Sequence, residues 1–334
     1  MTNSDDLQLQ LFQRIKNNFP AGKSLADEIA DVLNITIDSA YRRIRGEKLL
    51  VFDEVFKLCT KYSISLDDLF NNKTKGESFL CRILDANNIS FEEYLKSLYS
   101  NLVYIQSLGN PEIIYFAKDI VIFQLFHFPE LAAFKLFFWS KTIKLLPEFN
   151  DKKFDICHIS HEVLEIGRNC LTLYSKIPSS EIWNEETVNS AIRQIEFYYT
   201  GGIITKKDDA LLLLHQYDLL FQHIKDQAEK GSKFLLGTEP LFPNNYKFYF
   251  NEVILGDNSI YVKSDTRKMS FTTFNILGLM ISDEEQFCLK VENYLKTMMK
   301  KSVLISEVSE KERNRFFNMI SDKIRSAEER IKNS

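Results

Sequence analysis

The chain lacks the features of a secreted or membrane-spanning protein. Its first residues, 1–6, have neither the basic start nor the apolar run of a signal peptide. The most apolar stretches, such as 120–128, are interrupted by polar residues such as Gln124 and are too short to span a bilayer. The five cysteines are odd in number and widely scattered, which argues against a disulfide framework. These absences predict a cytoplasmic protein with reduced thiols and no membrane partner.

Motifs of the common enzyme classes are also missing. The sequence contains no Gly-rich dinucleotide turn, no nucleophile elbow and no metalloprotease His-Glu-x-x-His. His158, His161, Glu162 and Glu165 can share one helix face, but no second cluster supplies further ligands, so we expect no metal site. The sequence therefore predicts a non-catalytic protein without a cofactor. An enzyme stays open as an alternative, because catalytic groups meet in space and not in sequence.

The charge balance limits how the chain can meet nucleic acid. A formal net charge of −4 excludes general coating of nucleic acid, so a DNA contact requires a local basic patch. Residues 1–75 contain eleven Lys or Arg and eleven Asp or Glu, yet the two signs are segregated. Acidic residues gather at 27–31, and basic residues gather at 42–48.

The segment 24–70 carries the clearest pattern in the chain. Leu25, Ile29 and Leu33 recur at helical spacing, which predicts a first helix. Thr36 is placed to cap a second helix, and Gly46 is placed to end it in a left-handed conformation. A tight turn between two short helices, of which the second is basic, predicts a helix-turn-helix unit with its second helix in the major groove of DNA.

This segment resembles a known class of bacterial DNA-binding domains. Residues 40–47 read Ala-Tyr-Arg-Arg-Ile-Arg-Gly-Glu, residues 52–54 read Phe-Asp-Glu, and residues 64–67 read Ile-Ser-Leu-Asp. Together they are similar to the BetR-type variant of the lambda-repressor-like helix-turn-helix domains. The resemblance covers roughly the first fifth of the chain. It implies a sequence-specific transcriptional regulator with double-stranded DNA as its partner.

We expect the DNA-contacting side chains on the second helix and just after it. The pattern directs Ile37, Ala40, Tyr41 and Ile44 inward. The predicted DNA-binding residues are Thr36, Asp38, Ser39, Tyr41, Arg42, Arg43, Arg45 and Lys48. Among them, Arg42 is the candidate for pairing with guanine, and Lys48 is the candidate for a phosphate contact. Tyr41 has two interpretations, a core residue or a base or sugar contact.

The remainder predicts a second, larger domain. A polar stretch at 71–76 separates a helix-turn-helix domain over 1–72 from a domain over 77–334. Helical patterns dominate that domain and include 180–183, whereas strands are expected near 246–280. The predicted fold class is mainly α, with an N-terminal five-helix bundle followed by a larger helical domain that contains a small antiparallel β-sheet.

Two features of the larger domain suggest its role. Aromatic residues crowd 123–139 and form either the domain core or an aromatic-lined pocket for a small-molecule or peptide effector. In the last helix, apolar residues from Phe317 to Ile331 are spaced 3-4-3-4, so this seam packs on its own domain or on a second protomer.

We therefore expect a homodimeric regulator, because helix-turn-helix proteins usually bind paired half-sites. The alternative is a protein–protein interaction module that uses the same fold and an aromatic groove without binding DNA.

Overall fold

The computed structural model describes residues 4–17, 24–62, 64, 79–82, 90–253, 258–274 and 277–334. The chain divides into two compact units, Met1–Ser78 and Phe79–Ser334. The predicted boundary at 72–77 and the predicted fifth helix at 66–70 lie outside the described residues.

Helices make up the described part of the first unit. They are α1 (Ser4–Asn17), α2 (Leu25–Leu33), α3 (Ile37–Ile44) and α4 (Phe52–Tyr62). One apolar cluster joins them, with Ile15 of α1, Ile29 of α2, Ala40 of α3 and Leu58 of α4 at or close to complete burial. The two helices predicted around the turn at 34–36 are confirmed.

The second unit is built on a mixed eight-stranded sheet, which corrects the expected small antiparallel sheet. Its strands are β1 (Leu80–Arg82), β2 (Glu112–Phe116), β3 (Ser179–Trp183), β4 (Tyr246–Phe250), β5 (Ser259–Lys263), β6 (Lys268–Phe274), β7 (Gly278–Ser282) and β8 (Val303–Leu304). Their order is β1-β7-β6-β5-β2-β3-β4-β8. β3 runs parallel to both of its neighbours, β2 and β4, and the other pairs are antiparallel. The fold is thus α/β, and the prediction of a mainly α protein was wrong.

Helices cover both faces of this sheet. They are α5 (Phe91–Gln106), α6 (Ile122–Leu125), α7 (Pro129–Phe138), α8 (His161–Lys176), α9 (Glu186–Thr200), α10 (Lys207–Lys230), α11 (Glu285–Lys300) and α12 (Glu310–Asn333). Cys288 and Leu295 of α11 pack on one face against Ile114, Ile182 and their neighbours. The large core lies on the other face and includes residues from α5 to α10 and from α12. Among the described residues, no helix is long and apolar enough to cross a membrane.

Burial decides two of the alternatives that the sequence left open. Phe134 and Phe137 of α7 are completely buried, and most of the aromatic side chains near them belong to the core. The apolar seam of α12, from Phe317 to Ile331, is buried within its own unit, where α12 packs mainly on α10. This seam is therefore not available to a second protomer.

Candidate nucleic-acid interface

The turn between α2 and α3 is fixed by its own polar groups. Asn34 ends α2 in the left-handed conformation, with φ at 54°, and its N–H donates to the carbonyl groups of the last turn of α2. Thr36 adopts an extended conformation, and its Oγ1 accepts a hydrogen bond of 3.3 Å from the N–H of Ser39. This is an N-cap, which supplies a partner to one of the free N–H groups at the start of α3. Thr36 and Ser39 are thus held by local structure before any ligand binds.

The end of α3 depends on a glycine. Gly46 has φ at +77°, in the region that only glycine adopts without strain, and its N–H donates to the carbonyl of Arg43 at 3.0 Å. A side chain at this position would have space, because the nearest atom, in Leu9, is 3.8 Å from an added Cβ. The left-handed backbone conformation, and not a lack of space for a side chain, is therefore the reason for glycine at position 46.

The outward face of α3 and the residues after it carry most of the predicted DNA-binding side chains. Thr36, Asp38, Arg42, Arg45 and Lys48 are exposed, and Ser39 is partly exposed. Ile37 is 50% exposed, so the prediction that it points inward was wrong. Tyr41 is 45% exposed, which contradicts the first of its two interpretations, the core residue. The reason is that α3 has only eight residues and meets its unit mainly through Ala40, Arg43 and the half-buried Ile44.

Arg43 differs from its two neighbouring arginines and corrects the predicted set. Its side chain is buried, and it donates to both carboxylate oxygens of Glu54 in α4, from Nε at 2.9 Å and from Nη2 at 2.6 Å. Nη1 also donates to the carbonyl of Ser39, one turn earlier in α3, at 3.2 Å. A planar guanidinium bound by a carboxylate in this two-point manner is held in one orientation. Arg43 thus fastens α3 to α4 and is not on the outward face of α3.

A glutamine from α1 completes this attachment. Gln8 is buried, and its Nε2 donates to the carbonyl groups of Arg43 at 2.7 Å and of Lys48 at 2.9 Å. Its Oε1 accepts from the N–H of Leu50 at 2.8 Å. One side chain therefore holds both the end of α3 and the loop after it. Its partners are 35 to 42 residues away, so no local pattern indicates the contact.

The exposed charges around α3 are mixed but become basic toward its end. Arg45 lies 5.7 Å from the centre of the Tyr41 ring and 3.7 Å from a carboxylate oxygen of Glu47. Asp38, near the start of α3, is the acidic member of the outward face.

The hydrogen bonds from Arg43 hold the pKa of Glu54 below its ordinary value of 4.5, so that carboxylate stays charged while its partner is present.

Other candidate sites from the sequence do not assemble. Within the described ranges, no group of three or more His, Cys, Asp or Glu side chains is placed to hold a metal ion. His161 is largely exposed and faces Glu165, whereas His158 stacks on Phe137 with a centroid separation of 5.8 Å. A small-molecule or peptide effector for the second unit stays a prediction.

The second unit also buries a charged network that the sequence did not indicate. Glu181 of β3 is completely buried and accepts hydrogen bonds from the Tyr174 hydroxyl at 2.5 Å, the Trp183 indole at 2.9 Å and the Tyr246 hydroxyl at 3.1 Å. The buried amine of Lys233 donates to the carbonyl groups of Tyr174 and Ile177, both at 2.6 Å. Burial raises the pKa of Glu181 and lowers that of Lys233. The carboxylate of Glu181 and the amine of Lys233 thus have hydrogen-bond partners inside the unit, as buried polar groups usually do.

No protein-family model, curated protein or solved structure matches this chain. The candidate interface therefore rests on its own geometry.

Proposed function

We propose that the first unit binds double-stranded DNA through the outward face of α3 and regulates transcription. The observation that carries this proposal is the exposure of Arg42 on a short helix whose two ends are fixed, with Arg45 and Lys48 exposed directly after that helix. A capped start, a left-handed glycine end and the Arg43–Glu54 contact set the orientation of that helix without using the side chains of Arg42, Arg45 or Lys48. Such a helix meets the requirement of the major groove, which admits one α-helix and its side chains.

The roles of the outward side chains follow from their chemistry. Arg42 is exposed, and no ion pair involving it is found among the described side chains, so its guanidinium is free to pair with the two major-groove acceptors of guanine. Lys48 follows the helix and is exposed, which suits a contact to phosphate. Three further side chains border this surface, those of Tyr41, Thr36 and Ser39. They can contact base edges or sugars as long as the Thr36 hydroxyl keeps its hydrogen bond to the N–H of Ser39.

The test is a titration of the full-length protein on DNA from upstream of its own gene, at two salt concentrations. We expect Arg42→Ala to weaken binding by about 1–3 kcal/mol and to relax sequence preference. Lys48→Ala should weaken binding to all sequences alike. It should also reduce the slope of log affinity against log salt by the contribution of about one phosphate contact. Phe197→Ala, an exposed site in the second unit, is the control. Unchanged affinity in both α3 variants would contradict the proposal.

One observation favours the alternative of a protein–protein interaction module. The first turn of α2 carries Asp27 and Glu28, and the first helix of this motif crosses the DNA backbone, where carboxylates are repelled by phosphates. Salt separates the two functions, because DNA binding weakens steeply as salt is added and an apolar helix contact does not.

A further inference from the structure

Two apolar side chains of α3 lie outside the core of the first unit. Among the described residues, that core takes Ala40 and Ile44 from α3, but neither Ile37 nor Tyr41. Ile37, the first residue of the helix, is half exposed, and the exposed Tyr41 follows it one turn later. Isoleucine also favours a helix less than alanine or glutamate does. Neither core packing nor helix propensity therefore explains an isoleucine at position 37.

Ile37 and Tyr41 form an apolar strip beside the charged residues of α3. At about 100° per residue, the two side chains lie about 40° apart around the helix axis. On the other side of Tyr41 the surface continues with the exposed side chains of Asp38, Arg42 and Arg45. The Arg45 guanidinium lies 5.7 Å from the centre of the Tyr41 ring. The apolar strip is thus continuous with the surface that we propose for DNA binding.

Local structure fixes Ile37 at the leading end of α3. Thr36 before it is the N-cap, and the N–H of Ala40 donates to the carbonyl of Thr36 at 3.0 Å, which closes the first turn around Ile37. In a helix-turn-helix unit, the N-terminal residues of the second helix reach the base edges in the major groove. Ile37 is the first of these residues, so we expect its side chain to meet base edges and not the phosphate backbone.

We propose that Ile37 contacts the C5 methyl group of a thymine in the major groove and thereby selects a T·A base pair. An isoleucine side chain has no hydrogen-bond donor or acceptor, so it leaves the polar edge of guanine, cytosine or adenine without a partner once water is displaced. Thymine alone among these bases carries a methyl group in this groove, which an aliphatic side chain can cover. The inference rests on the proposed DNA-binding function and adds a specificity-determining residue to it.

The size of the expected effect follows from the size of the contact. Removing one methyl or methylene group from water changes an equilibrium constant about three- to fivefold. The two-point pairing of an arginine such as Arg42 with guanine discriminates between bases by about 5- to 150-fold. Ile37 is therefore the weaker of the two determinants, and it adjusts a preference that Arg42 largely sets. An experiment must isolate the methyl group to detect it.

The experiment uses a site that the full-length protein selects from random double-stranded DNA. Each thymine of this site is then replaced, one at a time, by deoxyuridine, which keeps the base pairing and lacks only the C5 methyl group. We expect one such replacement to weaken binding of the wild-type protein about three- to fivefold. Ile37→Ala should bind the thymine site and the deoxyuridine site equally. Because each comparison is made within one variant, a smaller folded fraction of that variant cancels.

Val51→Ala is the matched control. The Val51 side chain is aliphatic and branched like that of Ile37 and is 60% exposed, but it lies outside α3. This variant should keep the wild-type preference for thymine over deoxyuridine. Loss of the preference in Val51→Ala would show that the effect is not specific to position 37, and it would contradict the proposal.

The remaining outcomes separate this inference from the proposed function. A sensitive thymine whose effect disappears in Ile37→Ala establishes the methyl contact. An effect that persists in Ile37→Ala assigns the contact to another side chain and overturns the inference. Binding that depends on Arg42 but on no thymine methyl group overturns this inference alone. A protein that binds no DNA at either salt concentration overturns the proposed function as well, and Ile37 then belongs to a surface for a protein partner.

Discussion

Replacing Arg43 by alanine should destabilise the first unit, because this residue joins α3 to α4. The side chains of Arg43 and Glu54 are only 6% and 12% exposed, so the change leaves a poorly solvated carboxylate without its partner. Truncating one member of a buried ion pair costs about 3–5 kcal/mol. Because Glu54 keeps some contact with solvent and still accepts from the N–H of Val51, we expect a loss at or just below the bottom of that range, about 2–3 kcal/mol. For a unit of this size, that loss lowers the melting temperature by roughly 10–20 °C.

The assay can follow the two units separately. Both tryptophans, Trp139 and Trp183, belong to the second unit, so tryptophan fluorescence reports that unit alone. Far-ultraviolet circular dichroism reports the helices of both. In Arg43→Ala, the dichroism transition of the first unit should move to lower temperature, while the fluorescence transition stays in place. Arg42→Ala is the matched control, because its side chain is exposed and its loss should change unfolding by no more than about 0.5 kcal/mol.

A double variant separates orientation from DNA contact. Arg43→Met with Glu54→Leu removes both charges and keeps the volume, and such apolar replacements of buried pairs are often neutral or stabilising. This variant should regain the melting temperature and also bind DNA, because Arg42, Arg45 and Lys48 are unchanged. Normal stability in Arg43→Ala together with lost DNA binding would refute the reasoning, since it would mean that Arg43 acts at the DNA surface.

Three further predictions concern acid, the end of α3 and the packing of α8. Because the pKa of Glu54 is lowered in the folded state, its stabilising contribution is fully present above pH 4.5 and is lost as the pH falls through the folded-state pKa. The free energy of unfolding of the first unit should therefore fall more steeply with acid than it does in Glu54→Gln. Equal slopes in the two proteins would contradict this. Gly46→Ala should destabilise the first unit by about 1 kcal/mol, measured by denaturant unfolding, whereas an effect near zero would show that φ at this position relaxes. Gly167→Ala should destabilise the second unit by about 2–4 kcal/mol, because the new Cβ would lie 1.9 Å from the Phe126 ring. Tryptophan fluorescence follows the unfolding of this unit, and an unchanged unfolding midpoint would argue against this packing.

Local patterns predicted α2, α3 and the turn between them correctly, because the signals for these elements are short-range. The Thr36 cap, the apolar spacing of α2 and the left-handed Gly46 each depend on residues within one or two turns. The same patterns could not separate Arg42 from Arg43, which lie only about 100° apart on α3. The difference between them is the contact of Arg43 with Glu54, eleven residues later in the sequence. The spacing of apolar residues does not indicate such a contact.

In the second unit, the prediction from the sequence failed for the strand that is completely buried, β3. β3 is buried at each of its five residues and has parallel partners on both sides, so it shows none of the alternation that reveals a half-exposed strand. The strands expected near 246–280 were visible because β4 alternates in burial and because β5, β6 and β7 follow one another as antiparallel neighbours. The sequence did not show that β2 and β3 lie between β4 and β5. Without β3, the parallel centre of the sheet could not be inferred, and the unit was mistaken for a mainly helical one.

The net charge of −4 and the small basic patch together set how salt should act on DNA binding. Three outward cations, Arg42, Arg45 and Lys48, give a slope of log affinity against log salt of about −2.7 for one copy. Two copies on paired half-sites double that slope to about −5.4. A measured slope near the first value would therefore indicate one bound copy, and a slope near the second value would indicate two.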